Sequence, residues 1–271
     1  MTKKKIIGIV GCGSIGSALA LKADESMSDR VSALVLFDKD APKALELASA
    51  VERSETAGSA SRVAEISDIV VEAAHPDAAP GVLDLAVKAG KDAMILSIGG
   101  LIGHERLLAA ASSAGITVIM PSGAVAGIDA VKAAKIAGIS SVTLTTRKSP
   151  ASLEGAPYIR DKGIDIGSIK GETLIFEGSA LEAVAAFPRN INVSALLSIA
   201  GMGPEQTKVR IVTSPEYSRN THEIRVQSAA GKFTFITENV PFPSNPKTSH
   251  LAALSAIAAL EEYLSGIHIG T

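Results

Sequence analysis

Lys5-Ile6-Ile7-Gly8-Ile9-Val10-Gly11-Cys12-Gly13-Ser14-Ile15-Gly16 is an apolar run that stops at three glycines and then turns amphipathic. It reads as a strand entering a dinucleotide-binding turn. Gly11 permits a tight turn off the strand, Gly13 lets the backbone approach a pyrophosphate, and Gly16 allows the next helix to pack closely on the strand. Ser14 and Ile15 open that helix, whose free N–H groups and positive dipole end suit phosphate oxygens. A glycine pattern alone also fits a βα turn that binds nothing, so context decides. A second apolar run, Ala33 to Phe37, ends on Asp38, about 20 residues beyond the motif, where an acid grips the ribose hydroxyls. Strand, turn, helix, strand and acid follow in the order a dinucleotide site requires.

Outward from this stretch the chain alternates strands with helices. Ser14 to Asp24 carries Ile15, Ala18, Leu19 and Leu21 at helical spacing, and Pro42 suits the first turn of a helix running to about Glu52. Ser54 to Ser61 reads as loop and Arg62-Val63-Ala64 as a short third strand. Asp68 to Ala74 has the continuous apolar character of a strand buried on both faces, broken by His75-Pro76-Asp77. A helix to about Ala89, a strand over Ala93 to Ile98, a helix over Leu101 to Ala114 and a strand over Ile116 to Met120 complete a doubly wound parallel sheet. Its ligands belong beyond the carboxyl ends of the strands, along Asp38, Ala74-His75, Ser97 and Pro121-Ser122-Gly123.

From Val125 the pattern changes. After a helix over Gly127 to Ala137, strand-like runs at 141–147, 172–177, 209–214, 222–228 and 231–238 are joined by turns, with helices over Ala180 to Phe187 and Asn190 to Ala200. Alternation in Glu223-Ile224-Arg225-Val226 and Lys232-Phe233-Thr234-Phe235-Ile236 predicts a sheet with one covered face, hence a second, α+β domain. Asn245-Pro246 reads as N-cap and first residue of a last helix, with Lys247, Thr248 and Ser249 in its first turn. The expected domains are a Rossmann domain over 1–124, an α+β substrate and dimerisation domain over 125–244, and a C-terminal helix over 245–271 that closes the chain on the first domain.

With 271 residues the chain has length for two modest domains. A net charge of −2 offers no field to attract nucleic acid or an anionic membrane, and 3% aromatic residues with no Trp leave little for base stacking. Lys3-Lys4-Lys5 ahead of an apolar run imitates a leader, but Ile6 to Gly11 is shorter than the usual apolar region and cleavage at Cys12 destroys the turn. No segment supplies about 20 uninterrupted apolar residues, so no membrane span is expected. The lone Cys12 excludes an internal disulfide, suits a reducing cytoplasm, and reads as small filler in the turn.

Of five histidines, His75, His104, His250 and His268 read as surface or structural, and His222 opens a strand after a polar segment. No His-Glu-x-x-His or Cys/His pattern calls for a metal, and no Gly-x-Ser-x-Gly elbow for a serine hydrolase. Hydride transfer with a histidine as acid–base residue needs neither.

Four strings give the chain a family likeness: Phe187 to Gly201 (FPRNINVSALLSIAG), Pro121 to Ala130 (PSGAVAGIDA), Asn220 to Ile224 (NTHEI) and Asn245 to Ser249 (NPKTS). Together they resemble the L-aspartate dehydrogenase family over nearly the whole chain. The resemblance implies NAD- or NADP-dependent oxidation of L-aspartate to iminoaspartate, feeding oxaloacetate and ammonia or quinolinate and NAD biosynthesis (pyridine nucleotide biosynthesis), by a cytoplasmic homodimer. It also implies that Ala126 and Asn192 touch the cofactor and that His222 is the active-site residue. Members differ in nicotinamide preference, and Lys39 beside Asp38 tolerates a phosphate, so NAD and NADP both stand. The two substrate carboxylates call for cations and backbone donors, for which Lys247, Thr248, Ser249 and Asn190 are candidates. Two alternatives stand beside this reading. One is a dihydrodipicolinate-reductase-like or homoserine-dehydrogenase-like enzyme on the same scaffold; the other is a non-catalytic sensor of nicotinamide redox state.

Overall fold

The computed structural model describes residues 4–188, 191–243 and 245–270, without the side chains of Pro246 and Lys247. The chain forms two compact units. The first runs to Pro121 and takes in Ala253–Ile269; the second is Ser122–Ala252 with the residues after Ile269.

The first unit alternates β1 (Lys5–Val10), α1 (Ser14–Ser26), β2 (Val31–Phe37), α2 (Ala41–Ser49), β3 (Ser54–Thr56), α3 (Ala60–Ile66), β4 (Ile69–Glu72), α4 (Ala79–Ala89), β5 (Asp92–Ile95), α5 (Glu105–Ser113) and β6 (Val118–Ile119). The sheet order is β3-β2-β1-β4-β5-β6 with every pair parallel, the doubly wound arrangement read from the sequence. Residues along β1 alternate between two cores. Ile7 and Ile9 pack on one face with Leu19, Leu34, Leu36 and Val71, while Val10 packs on the other with Val35, Val63, Val70 and Leu83. A strand buried on both faces has no room for polar side chains, hence its unbroken apolar character.

One assignment is reversed. The third strand is Ser54–Thr56, within the stretch read as loop, and Arg62-Val63-Ala64 lies inside α3. Ser59 caps that helix, its hydroxyl accepting from the Arg62 N–H at 3.1 Å, and Val63 and Ala64 then face the core. Three apolar-leaning residues are too few to separate a period of 2 from one of 3.6. The helix read over Leu101 to Ala114 starts later, at Glu105, behind a short 3-10 turn over Ile98–Leu101.

The second unit contains α6 (Ile128–Ala137), β7 (Ile139–Lys148), α7 (Pro157–Asp161), β8 (Thr173–Ser179), α8 (Ala180–Ala186), α9 (Asn192–Ala200), β9 (Lys208–Thr213), β10 (Asn220–Ser228), β11 (Gly231–Asn239), β12 (Pro241–Phe242), β13 (Asn245–Ser249) and the start of α10 (His250–Ser265). Its main sheet has the order β11-β10-β7-β9-β8, antiparallel except for β7 with β9. Val142 and Leu144 of β7, Ile224 and Val226 of β10 and Phe233 and Phe235 of β11 meet Val131, Ala134 and Leu197 from α6 and α9. A second core gathers Phe176, Phe187 and Tyr158, with ring centroids 5.4 to 5.6 Å apart.

The last helix begins at His250, not at Asn245-Pro246. Residues Asn245–Ser249 are a strand paired with β12, Pro241 opposite Ser249, and the His250 N–H closes on the Val240 carbonyl at 2.8 Å. Asn-Pro starts a short edge strand as readily as a helix, since Pro is tolerated near the beginning of either. Thr248 and Ser249 are therefore strand residues and occupy no helix first turn. From Ala253 onward α10 belongs to the first unit, where Ala256, Leu260 and Leu264 enter the core of Leu19, Ala23 and Leu34. The Tyr263 hydroxyl donates to Asp92 Oδ2 at 2.7 Å, tying α10 to the start of β5.

Candidate active site

In the first unit the glycine turn has the geometry its sequence demands. Gly11 adopts φ +105°, and a Cβ there would stand 2.6 Å from the Ala73 carbonyl group; a Cβ on Gly16 would stand 2.0 Å from the Gly11 oxygen. Gly13 differs. It is exposed, a Cβ added to it meets nothing within 4 Å, and it leads into α1 with no side chain capping the first turn at Ser14 and Ile15. An open, uncapped helix start with backbone exposed on its ligand side fits a pyrophosphate. Asp38 lies against the same turn: its Oδ2 accepts from the Cys12 N–H at 2.8 Å and its Oδ1 from the Asp40 N–H at 2.9 Å. A carboxylate has about four acceptor sites, so these two bonds leave capacity for ribose hydroxyls. Burial, with help from the Asp38 charge, pushes the Cys12 thiol up to about 11, which leaves it unreactive near neutral pH.

Glu72, at the carboxyl end of β4, was not singled out from the sequence. It is fully buried, its Oε1 accepting from the Ala74 N–H at 2.9 Å and its Oε2 from the Ser97 N–H at 2.8 Å. Burial pushes its carboxyl up against the opposing effect of these bonds. It clips together the loops that follow β4 and β5 on the rim of the sheet. The available signal was an acid ending a strand that is otherwise buried on both faces.

In the second unit, the register determines which side chains meet. Directly paired residues share a face, as do residues two apart on one strand. On β7, Val142 and Leu144 face the helices, and Thr146 and Lys148 continue the same face; on β10, Val226 and Ile224 are followed by His222. Thr213 pairs with Lys148 and Thr237 with His222. The covered face is thus apolar at one end and turns polar at the other while staying buried: His222 is 5% exposed and Lys148 7%.

His222 Nδ1 lies 2.9 Å from Thr146 Oγ1. When Nδ1 carries the proton and the hydroxyl accepts, Nε2 keeps its lone pair and acts as a base. Burial, and then the charge of Lys148, push the imidazole from 6.5 to about 3, so it is neutral in the folded protein. Burial lowers the Lys148 ammonium from 10.5 to about 8. The Thr213 hydroxyl donates to the Lys148 carbonyl at 2.7 Å. Thr237 Oγ1 and Asn239 Nδ2 donate to the Ala124 carbonyl at 2.9 and 3.0 Å, holding the loop that carries Ala126. Asn239 Oδ1 is buried with no hydrogen-bond partner among the described residues. On the opposite face, Arg147 donates to Glu223 at 3.0 Å and Arg225 pairs with the same carboxylate. These charges hold the Glu223 carboxyl below the usual range although burial opposes them, and they pin the register that sets Thr146 opposite His222.

The structure accordingly gathers His222 into a buried polar cluster, places exposed Ala126 on the loop before α6, and places Asn192 at the first residue of α9. Gly127, between Ala126 and α6, has φ +84°, and a Cβ on it would stand 2.4 Å from the Phe235 ring. Asn190 lies outside the described residues, as does the side chain of Lys247; Thr248 and Ser249 lie on β13. Thr146, Lys148 and Asn239 were missed. The overlooked signal was a Thr and a Lys two and four residues past Leu144, continuing its buried face. Among the described residues no three or more His, Cys, Asp or Glu side chains are grouped to hold a metal, and no helix is long and apolar enough to cross a membrane.

A doubly wound parallel sheet with an open glycine turn defines a dinucleotide-binding fold, and the similarity to known proteins makes it that of an NAD(P)-dependent dehydrogenase. Residues 11–121 match the family model for the NAD binding domain of homoserine dehydrogenase, and residues 129–263 the model for the C-terminal part of aspartate dehydrogenase. The L-aspartate dehydrogenases of Methanosarcina barkeri and Methanosarcina mazei are 44% and 45% identical to this chain, the alignments covering 98% of it and 99% of each relative. The crystal structure of aspartate dehydrogenase from Thermotoga maritima superposes with a TM-score of 0.76 at 26% identity, over 99% of this chain and 100% of that one. The chain belongs to the L-aspartate dehydrogenase family, as the four strings implied.

Proposed function

We propose that the protein catalyses the NAD- or NADP-dependent oxidative deamination of L-aspartate to iminoaspartate, which hydrolyses to oxaloacetate and ammonia or enters quinolinate and NAD biosynthesis. The observation that supports this most directly is the buried polar end of the second sheet, where a neutral His222 stands beside Thr146 and Lys148 in a chain similar to aspartate dehydrogenases along its whole length. Residues 1–124 are read as the nucleotide-binding part and 125–244 as the substrate part. The bound nicotinamide nucleotide supplies the acceptor for the α-hydride.

In this reading Gly11, Gly13 and Gly16 shape the turn, Ser14 and Ile15 offer backbone N–H groups to the pyrophosphate, and Asp38 holds the adenosine ribose. Ala126 and Asn192 contact the nicotinamide end. His222 removes a proton from the substrate amine or from the water that later attacks the imine and releases it to solvent, with Thr146 fixing the ring so that Nε2 is the atom that takes it. A dicarboxylate near the imidazole favours its protonated form, moving the basicity of His222 back toward the working range. Asn190, Lys247, Thr248 and Ser249 keep a proposed part in substrate contact, now from β13 and the residues before α9. A cytoplasmic homodimer is the proposed working form.

The test is turnover. Purified protein given L-aspartate and either NAD or NADP reduces the nucleotide and releases ammonia. Absence of reduction with both nucleotides, or faster turnover of homoserine than of aspartate, overturns the reading.

A further inference from the structure

We infer that Glu72 is a positioning residue for the nicotinamide half of the bound dinucleotide: its buried carboxylate fixes the loops after β4 and β5 as the far wall of the crevice beside the glycine turn. The inference rests on nucleotide binding by the first unit and is independent of which amino acid is oxidised.

Strand order places the crevice. In the order β3-β2-β1-β4-β5-β6 the chain leaves β1 toward β2 on one side and crosses to β4 on the other, so the loops after β1 and β4 diverge at the carboxyl ends of that pair. The near wall is the glycine turn, braced by Asp38 through the Cys12 N–H. With adenosine on the β2 side at Asp38 and pyrophosphate at Gly13, an extended dinucleotide carries its second ribose and nicotinamide over β4 and β5. The far wall there consists of residues 73–76 and 97–100. A Cβ on Gly11 would stand 2.7 Å from the Ala74 nitrogen, and one on Gly100 would stand 1.9 Å from the Pro76 oxygen. Backbone meets backbone at both places, so the loop after β4 cannot shift without moving its neighbours.

Glu72 holds this wall from beneath. The strand register sets Phe37, Val10, Glu72 and Ile95 side by side in one row of the sheet. The other three are apolar, and Val10 and Ile95 are buried in the core on that face, so the sheet itself has no need of an acid there. Burying a carboxylate is unfavourable unless donors compensate it, and here the donors come from the two loops. The Ala74 N–H reaches Oε1 at 2.9 Å and the Ser97 N–H reaches Oε2 at 2.8 Å. One oxygen serves each loop, and the rigid carboxylate thereby sets the spacing between them.

Glu72→Gln is the probe, because the amide keeps the shape and one accepting oxygen but turns its NH2 group toward the N–H of the other loop. Calorimetric titration without substrate compares NAD with ADP, which has the adenosine and pyrophosphate but lacks the second ribose and nicotinamide; NADP and 2′-phospho-ADP replace them if NADP binds more tightly. The Kd for the dinucleotide is expected to rise on the order of 10-fold, and that for the diphosphate to change by less than about 2-fold. Glu72→Asp, too short to span both loops, is expected to show the same selective loss. A role confined to stability lowers the urea midpoint and keeps the wild-type ratio of the two affinities, and that result overturns the inference. If neither variant folds, hydrogen exchange of the wild type decides: residues 73–76 and 97–100 are expected to gain protection with the dinucleotide and not with the diphosphate, and equal protection or none overturns it. Wild-type protein that binds neither NAD nor NADP refutes the nucleotide-binding reading and the inference with it. Protein that shows the selective loss but does not oxidise aspartate refutes the proposed activity and not the role of Glu72.

Discussion

At the scale of single residues, two side chains carry sharply different burdens. His222 is buried and neutral, so its removal should cost chemistry more than binding: His222→Gln is expected to lose on the order of a hundred-fold or more in kcat, with NAD affinity near that of the wild type. Its protonation also governs acid stability. The folded-state pKa, about 3, lies below the ordinary value of 6.5, so the unfolded chain takes up a proton across that interval while the folded protein does not. The contribution is complete above pH 6.5 and is lost as pH falls toward 3, each unit of displacement being worth about 1.4 kcal/mol. Urea titrations from neutral pH to pH 4 should show a shallower decline in the His222→Gln variant; identical slopes would mean that the imidazole is not buried neutral. Asp38 bears on the nucleotide instead. Its carboxylate braces the glycine turn through Cys12, and on the proposed reading, in which it holds the adenosine ribose, Asp38→Ser should weaken NAD and improve NADP relative to the wild type. Direct titration of both nucleotides decides it, and equal affinities in variant and wild type would place the ribose elsewhere.

Between elements, the decisive links are polar groups at strand ends. Glu72 joins the loops after β4 and β5 by accepting two backbone N–H groups in a fully buried position. Glu72→Ala leaves both donors unsatisfied, at about 1–3 kcal/mol each, so a loss of roughly 2–6 kcal/mol is expected as a lower urea midpoint at unchanged slope. Glu72→Gln keeps one acceptor oxygen and should recover part of that loss; a midpoint within experimental error of the wild type for Glu72→Ala would show that water replaces the carboxylate. The same scale contains the misread elements. Arg62-Val63-Ala64 became helical because Ser59 caps it, and Asn245-Pro246 became a strand because β12 lay within pairing distance. Neither partner is visible in the local pattern of apolar residues, which is all that periodicity reports.

Across the whole molecule, the chain leaves its first unit at Pro121 and returns to it at Ala253. The returning helix is part of the first unit's core, since Ala256, Leu260 and Leu264 pack among residues of α1 and β2. Leu260→Ala should therefore cost about 2–5 kcal/mol, the usual range for a buried Leu, and lower the stability of the nucleotide-binding unit although the substitution lies far along the chain. Thermal unfolding with and without NAD tests this, and a loss under 1 kcal/mol would mean that the helix end is peripheral to that core. What the sequence by itself determined was the local grammar: a glycine turn between β1 and α1, strands alternating with helices up to Pro121, an α+β remainder, and strings specific enough to indicate the family. These are settled by neighbours within a few residues, through backbone conformation and the period of apolar side chains. Only the tertiary structure decided that Thr146 stands against His222, 76 residues away, with Lys148 on the same buried face, and that α10 completes the core begun by β1. Those meetings depend on strand register and on burial, which lower the basicity of both His222 and Lys148, and no local pattern encodes which distant strand supplies the partner.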